Sequence, residues 1–428
     1  MRTLIKGAWV VTQDVNRSIV KADVLVDKGR IAAVGDVREE ADEIVEAAGD
    51  ILMPGLINTH GHVAMSIMKG VADDVPFPVF LDKVFALDSG RQRGDMLTGA
   101  SLGCLEMIRS GTTTFVDLYY DEDVIAEAVQ AAGLRALLCW CVLDVEYTTQ
   151  KGVPLDNCRH FCQKFKEAGR IMPGVGLQGV YVCSEETFLG ARELSDRERL
   201  PMTFHLSETR GEVNDHKQKY GKRPADWLDS IGFLNHRCIA AHSAWLTIAE
   251  VRALARNQVS VSTCPVSNMK LATGGVAPIP EMLANGVNVS IGTDGSTTNN
   301  SLDMFGEMKM LALLQKSSRW DASVVNAQQA LDFATLGGAQ ALGMRGELGS
   351  IEVGKKADLV LLDGRSPNLR PLFTNNVVSN IVYSANAGNV KSVMVDGRFL
   401  MRDRSIFTLD EAAILAESEA AMASLMKK

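Results

Sequence analysis

Short β-rich runs alternate with helical stretches through the middle of this chain, and that alternation restricts the fold more than any other feature. The runs are "GDILMPGLINT", "TTTFVDL", "LRALLCWC", "PGVGLQGV", "LPMTFHL", "CIAAHS", "QVSVSTC" and "GVNVSIGTD". Helical patterns such as "DMLTGASLGCLEMIRS", "DVIAEAVQAA", "TIAEVRALARN" and "PEMLANG" separate most of them. A strand that returns parallel to its predecessor needs a long crossover, usually a helix. About eight such units therefore predict an α/β fold closed as a (β/α)8 TIM barrel. A doubly wound open sheet is the alternative. No GxGxxG follows the first run, and neither "GTTTF" nor "GTDGSTTNN" is a Walker A loop, which argues against the nucleotide-binding versions of that sheet.

The two ends of the chain are written differently. "TLIKGAWVVT", "ADVLVDKGRIAAVG" and "EIVEAAGDI" read as short strands with tight turns. "ADLVLLDG", "NIVYSA" and "VKSVMVDGRFLMRDRS" read as strands and hairpins in the same style. The expected organisation is a small β-sandwich built from residues 1–54 and 346–428, with the barrel in residues 55–345 between them. A helix from about Leu409 to Met426 closes the chain.

Composition narrows the partners. A formal net charge of −8 argues against a broad nucleic-acid or anionic-membrane surface. The first residues, "MRTLIKGAWVVTQDV", contain too short an apolar segment for a signal peptide or a membrane span. Eight scattered cysteines without a CxxC pair read as buried, reduced thiols of a cytoplasmic protein. Cys158, His160 and Cys162 could form a metal clip, but their stretch reads better as one turn of helix with mixed faces.

Polar residues gather at one end of the β-rich runs. "NTHGH" places His60 and His62 one residue apart at the end of the first run. Residues i and i+2 of a strand share a face, so both imidazoles can aim at one point. An isolated pair of this kind is ordinary polar alternation. Here His205 closes the fifth run, His242 the sixth and Asp294 the eighth, all at the C-terminal end where such barrels keep their active sites. Four of the seven histidines at matching strand ends, with an aspartate, describe one site better than core filling. Three imidazoles and a carboxylate suit a divalent metal ion, Zn2+ first, with Fe2+, Mn2+ or Ni2+ also compatible. Such an ion lowers the pKa of a bound water toward about 7. Two-metal barrel hydrolases often bridge their ions with a modified lysine on the fourth strand. "PGVGLQGVYVCS" has no lysine, so one ion per subunit is expected. Glu208 in "HLSE" either opens the next helix, where negative charge suits the N-terminus, or shuttles protons beside the metal water.

The segments "PGLINTHGH", "GTTTFVD", "YVCSEE", "HLSET", "AAHSAWL", "CPVSNMKLATGGVAPIPEML", "GTDGSTTNNSLDMFGEM", "GAQALG" and "LGSIEVGKKADLVLLD" cover nearly the whole chain. As a set they resemble the amidohydrolase superfamily, and within it the branch of 5'-methylthioadenosine/S-adenosylhomocysteine deaminases and s-triazine hydrolases. The resemblance implies that His60, His62, His205 and Asp294 bind the metal. It implies that Glu208 passes a proton to a substrate ring nitrogen, and that His242 hydrogen-bonds the water and the developing oxyanion. Asp294 would also accept the water proton. A homo-oligomer, dimer or tetramer, is implied as well. Two substrate-binding positions depart from the nucleoside-deaminase pattern. Asp88 in "FALDSG" stands where those enzymes carry a glutamate for the ribose hydroxyls. Leu177-Gln178 stands where they carry Pro-His, which replaces an imidazole by a neutral amide. The arginine that holds an amino-acid carboxylate in relatives falls near Pro154, which points away from S-adenosylhomocysteine.

The expected activity is metal-dependent hydrolytic deamination of an aminated nitrogen heterocycle at a cyclic-amidine C–N bond, with release of ammonia. The foremost small-molecule substrate is an adenine nucleoside of the adenosine, 5'-deoxyadenosine or 5'-methylthioadenosine type. The nearest alternative displaces chloride or an amine from an s-triazine or related ring. Cyclic-amide hydrolysis fits less well without the fourth-strand lysine. A non-catalytic scaffold would be expected to have lost ligands that this chain retains.

Overall fold

The computed structural model describes residues 2–427. Its central sheet is parallel and follows the order of the chain. The strands are β1 (Leu56–His62), β2 (Thr112–Tyr119), β3 (Arg135–Val142), β4 (Ile171–Leu177), β5 (Met202–Leu206), β6 (Cys238–His242), β7 (Ser260–Thr263) and β8. The last is interrupted, running as Val289–Ile291 and then Asp294–Gly295. Its first piece pairs with β7 and its second with β1, so the barrel closes through the interruption. Asn58 spans the break: its amide oxygen accepts from Thr293 N at 3.0 Å and its amide nitrogen donates to Thr293 Oγ1 at 2.7 Å. Every residue of β2 and β3 is buried, as expected of parallel strands covered on both faces.

The chain ends form a nine-stranded mixed sheet. Strands Arg2–Val11, Ile19–Asp27, Arg30–Gly35, Glu43–Glu46 and Ile51–Pro54 join Leu359–Leu362, Val390–Val395, Arg398–Arg402 and Ser405–Ile406. Val24 and Ile31 from one end of this sheet share an apolar cluster with Leu359 and Met394 from the other, so the sheet folds around its own core. The run "GDILMPGLINT" is divided between the two sheets. Ile51–Pro54 pairs with Leu359–Leu362, while β1 begins one residue later. Gly55 makes the junction possible, because a Cβ there would lie 2.0 Å from Thr113 Oγ1.

Two segments differ from their sequence reading. "NIVYSA" does not form a strand; it lies within and just beyond a helix, Val377–Tyr383, whose buried residues are Val377, Val378, Ile381 and Val382. That spacing has the helical period, and it outweighed the β-branched composition. A helix at Phe77–Ser89, absent from the sequence reading, follows β1 and carries Asp88. The terminal helix, Glu411–Leu425, packs on the barrel: Leu425 joins Ile67, Met68, Phe80 and Val84 in one apolar cluster. Cys158 and Cys162 are buried on the helix Pro154–Lys164 while His160 is exposed, so the imagined clip is split between two faces. All eight cysteines are buried and free. No helix among the described residues is long and apolar enough to cross a membrane.

Candidate active site

Register brings the polar strand ends together. Asp294 pairs with Gly61 and Gly295 with His62, so the aspartate arrives between the two histidines of "HGH". Asp294 Oδ1 lies 3.6 Å from His60 Nε2 and 3.2 Å from His62 Nε2. On the opposite side, His205 pairs with Ala241 and Leu206 with His242, which sets those two rings at neighbouring strand ends. The rings of His205 and His242 stack at 5.4 Å, and His60 packs edge-on against each of His62, His205 and His242. Potential ligands at the C-terminal mouth fall into three overlapping triads: His60, His205 and His242; His60, His62 and Asp294; and Glu208, His242 and Asp294.

The backbone turns sharply here. Ser207, His242, Ser243 and Asp294 have φ of 48°, 63°, 52° and 64°. Non-glycine residues seldom adopt this region, and such strain clusters at functional sites. Gly292 is required at the break in β8, since a Cβ would meet His60 Cβ at 2.6 Å and His60 N at 2.8 Å.

A layer of partners outside the ligands sets their direction. His62 Nδ1 donates to Leu118 O and His205 Nδ1 to Gln178 O, both at 2.7 Å. In the neutral rings those bonds leave the Nε2 lone pairs facing each other, 3.3 Å apart. His60 is fully buried and neither of its ring nitrogens has a hydrogen-bond partner. Facing lone pairs and an orphaned buried imidazole are unfavourable unless a cation lies among them, so His60, His62, His205 and Asp294 fit a divalent metal ion. Asp294 Oδ2 accepts from Ser267 Oγ at 2.6 Å, and its Oδ1 accepts from Gly295 N at 2.7 Å. His242 Nδ1 lies 2.9 Å from Asn268 Oδ1, which directs Nε2 toward Glu208, 3.9 Å away.

Electrostatics agree with neutral imidazoles at His60 and His205 and one firm carboxylate. Burial lowers His62, but its Asp294 hydrogen bond and charge outweigh that and raise it. Burial and the neighbouring rings hold His60 well below its ordinary value, and burial first brings His205 down to about 3. Burial alone would raise Asp294, but the His62 hydrogen bond and the surrounding imidazoles hold it well below the carboxylate range. Burial raises Glu208, with His242 opposing.

His62 also lines a cavity of about 550 Å3, within the usual range for small-molecule sites. Asp88 and Gln178 line it too. Gln178 donates from Nε2 to Tyr181 Oη at 3.0 Å, and Asp88 is engaged by Arg91, Tyr119 and Tyr120. The sequence reading assigned no role to Ser267 and Asn268, although "CPVSNMK" contains both. It also passed over Glu212, whose carboxylate accepts from Ser207 N at 2.9 Å and Glu208 N at 2.8 Å and so shapes the loop that carries Glu208. The T-x-x-E spacing of Thr209 and Glu212 was a legible helix-start signal. Its reach back to the strand end was not.

Known proteins resemble the chain over its full length. Residues 51–400 match the Amidohydrolase family. A 5'-deoxyadenosine deaminase of Methanosarcina acetivorans is 38% identical over 431 residues, covering 99% of this chain and 98% of the relative. A 5-methylthioadenosine/S-adenosylhomocysteine deaminase of Moorella thermoacetica is 42% identical over 383 residues, 88% of each chain. The crystal structure of an adenosine deaminase from Xanthomonas campestris with bound zinc superposes with a TM-score of 0.96 at 33% identity, covering 100% of this chain and 99% of that one. An atrazine chlorohydrolase from Arthrobacter aurescens shares the fold at a TM-score of 0.90 and 22% identity, over 98% and 100% of the two chains. The family match over most of the chain, together with relatives aligned from end to end, makes this protein a member of the amidohydrolase family.

Proposed function

We propose that this protein is a metal-dependent hydrolase that deaminates adenine nucleosides of the adenosine, 5'-deoxyadenosine or 5'-methylthioadenosine type and releases ammonia. The observation that carries the reading is the meeting of a cation-ready cage and a nucleoside-sized cavity at His62, which belongs to both. The deaminase relatives support the same reaction. Zinc is the proposed ion, supported by the zinc-bound Xanthomonas structure. A homo-oligomer in the cytoplasm, acting on a small molecule and not on nucleic acid, completes the proposal.

A divalent cation in the cage supplies Lewis acidity, which makes water nucleophilic near neutral pH. The chain's own residues do the rest. Asp294, oriented by Ser267, takes the proton of the attacking water. His242, held by Asn268, presents Nε2 as acceptor to that water and orients it toward the ring carbon bearing the amino group. Glu208 donates to the adjacent ring nitrogen, so the ring accepts electron density as the bond forms. Asp294 then passes its proton to the amino group, the C–N bond breaks and ammonia leaves. The hydroxyl on the ring carbon gives its proton to Glu208 as it becomes the carbonyl. Burial raises Glu208 in the direction such a donor requires.

The test is ammonia release from adenosine, 5'-deoxyadenosine, 5'-methylthioadenosine and an aminotriazine, with chloride release from a chlorotriazine in parallel. The nucleosides are expected to react, chelation to abolish turnover and Zn2+ to restore it. Triazine turnover with inert nucleosides would overturn the proposal.

A further inference from the structure

The motif "GTTTFVD" ends in an acid that the reaction does not use. Asp117 lies in β2 opposite Gly61 and is fully buried. Its Oδ1 accepts from Val63 N at 2.6 Å, the amide that follows His62. Its Oδ2 has no hydrogen-bond partner among the described residues. Just past β2, Glu122 opens the helix Glu122–Ala132 and is also fully buried. Negative charge suits a helix N-terminus. This side chain, however, turns back toward β2, where its Oε1 accepts from Tyr119 N at 3.0 Å. Burial raises both carboxyls, so the chain keeps two buried acids at a cost in stability.

The bonds these acids make converge on one histidine. His62 Nδ1 donates to Leu118 O at 2.7 Å. Leu118 O and Tyr119 N belong to the same peptide unit. Glu122 therefore grips the far side of the peptide plane that receives the His62 ring, and hydrogen bonds in such a chain strengthen one another. Asp117 grips the peptide on the other side of the His62 α-carbon. The strand ladder alone does not fix this position. Thr59 and His60 oppose Val116 alone, so β1 bulges just before His62.

Resting on the reading of His62 as a metal ligand, we propose that Glu122 and Asp117 are positioning residues that aim His62 at the cation, Glu122 through the Leu118–Tyr119 peptide and Asp117 through the Val63 amide. Metal-ligating histidines commonly hand their second nitrogen to a carboxylate or a backbone carbonyl. Here one peptide carries both kinds of support in series. Neither acid belongs to the ligand triads. The relay also ties the cage to the cavity, because Leu118 and Tyr119 line its wall.

The experiment titrates the metal-free full-length protein with Zn2+ against a competing chelator. It compares the wild type with Glu122→Gln, Glu122→Leu and Val24→Ala. Each metal-free protein is also melted, and each Co2+-loaded protein is read by its visible spectrum. Glutamine keeps an acceptor for Tyr119 N, whereas leucine keeps bulk and removes it. Val24 is buried in the core of the end sheet, so its alanine variant lowers stability away from the site. Glu122→Leu is expected to bind Zn2+ about 10–100-fold more weakly and to alter the Co2+ bands, with Glu122→Gln and Val24→Ala within about threefold of the wild type. Wild-type affinity in Glu122→Leu overturns the proposal. So does an equal loss in Glu122→Gln, or in Val24→Ala, where affinity would merely follow stability. If Glu122→Leu fails to fold, Asp117→Ala replaces it with the same expectation and the same refutation. A wild type that binds no Zn2+ fails the metal reading and takes this inference with it, whereas an indifferent Glu122 leaves that reading standing.

Discussion

Replacing Glu208 by glutamine removes one ionisable proton and almost no volume. The side chain is 13% exposed and lies 3.9 Å from His242 Nε2. It is buried enough that its pKa is raised, with His242 opposing. Glutamine keeps the shape but cannot deliver a proton to the ring nitrogen. General acid–base catalysis typically contributes about 10²–10⁴-fold, or about 3–5 kcal/mol of the barrier. The expected outcome is a fall in kcat of that size, with cation content unchanged because Glu208 lies outside the four-residue cage. Stability should move the other way. A carboxyl group raised in the folded protein stabilises it below its unfolded pKa of about 4.5, and that contribution is lost as pH rises through the higher folded value. Metal-free Glu208→Gln should therefore melt at or above the metal-free wild type at pH 8. Ammonia release, elemental analysis and thermal melts on the same preparations read all three quantities. A variant within tenfold of the wild-type kcat, or one that loses its cation in parallel, refutes the proton-donor role.

Asn268→Ala leaves the buried His242 Nδ1 without its partner, 2.9 Å away, and frees the ring to change tautomer; kcat should fall about 10–100-fold at unchanged metal content, measured by ammonia release and elemental analysis. Gly292→Ala places a Cβ 2.6 Å from His60 Cβ; the resulting shift of β1 should cost about 1–3 kcal/mol in chemical denaturation and weaken cation binding at least tenfold in a competitive chelator titration. Glu307 is 1% exposed, and burial raises it to about 8 even though it accepts from Asn299 Nδ2 at 2.6 Å and Val266 N at 3.3 Å. Its stabilising contribution is complete below about pH 4.5 and lost as pH rises through about 8, with an upper bound of roughly 5 kcal/mol. Glu307→Gln should flatten that part of the stability–pH curve, read by denaturation at pH 5 and pH 9.

Much of this protein is legible in its sequence because the barrel is written locally. Each parallel strand must bury both faces, so each appears as a short apolar run, and each crossover helix appears as a separate pattern. The catalytic end of every strand follows from chain direction alone. His60, His62, His205, His242 and Asp294 could therefore be picked out at strand ends before any distance was known. Local pattern misled where composition and period disagreed, as at Val377–Tyr383.

Tertiary structure alone decided what surrounds those candidate ligands. Asp294 reaches His60 and His62 through a strand break bridged by Asn58, more than two hundred residues away in sequence, and no local pattern encodes that register. Asn268 aims His242, Ser267 aims Asp294, and Glu212 shapes the loop under Glu208, each through a hydrogen bond whose geometry exists only after the barrel closes. Asp88 shows the difference most plainly. The sequence marks it only as an acid, while Arg91, Tyr119 and Tyr120 converge on it only in the folded chain. Residue type sets which chemistry is available, while packing sets which lone pairs remain free to perform it.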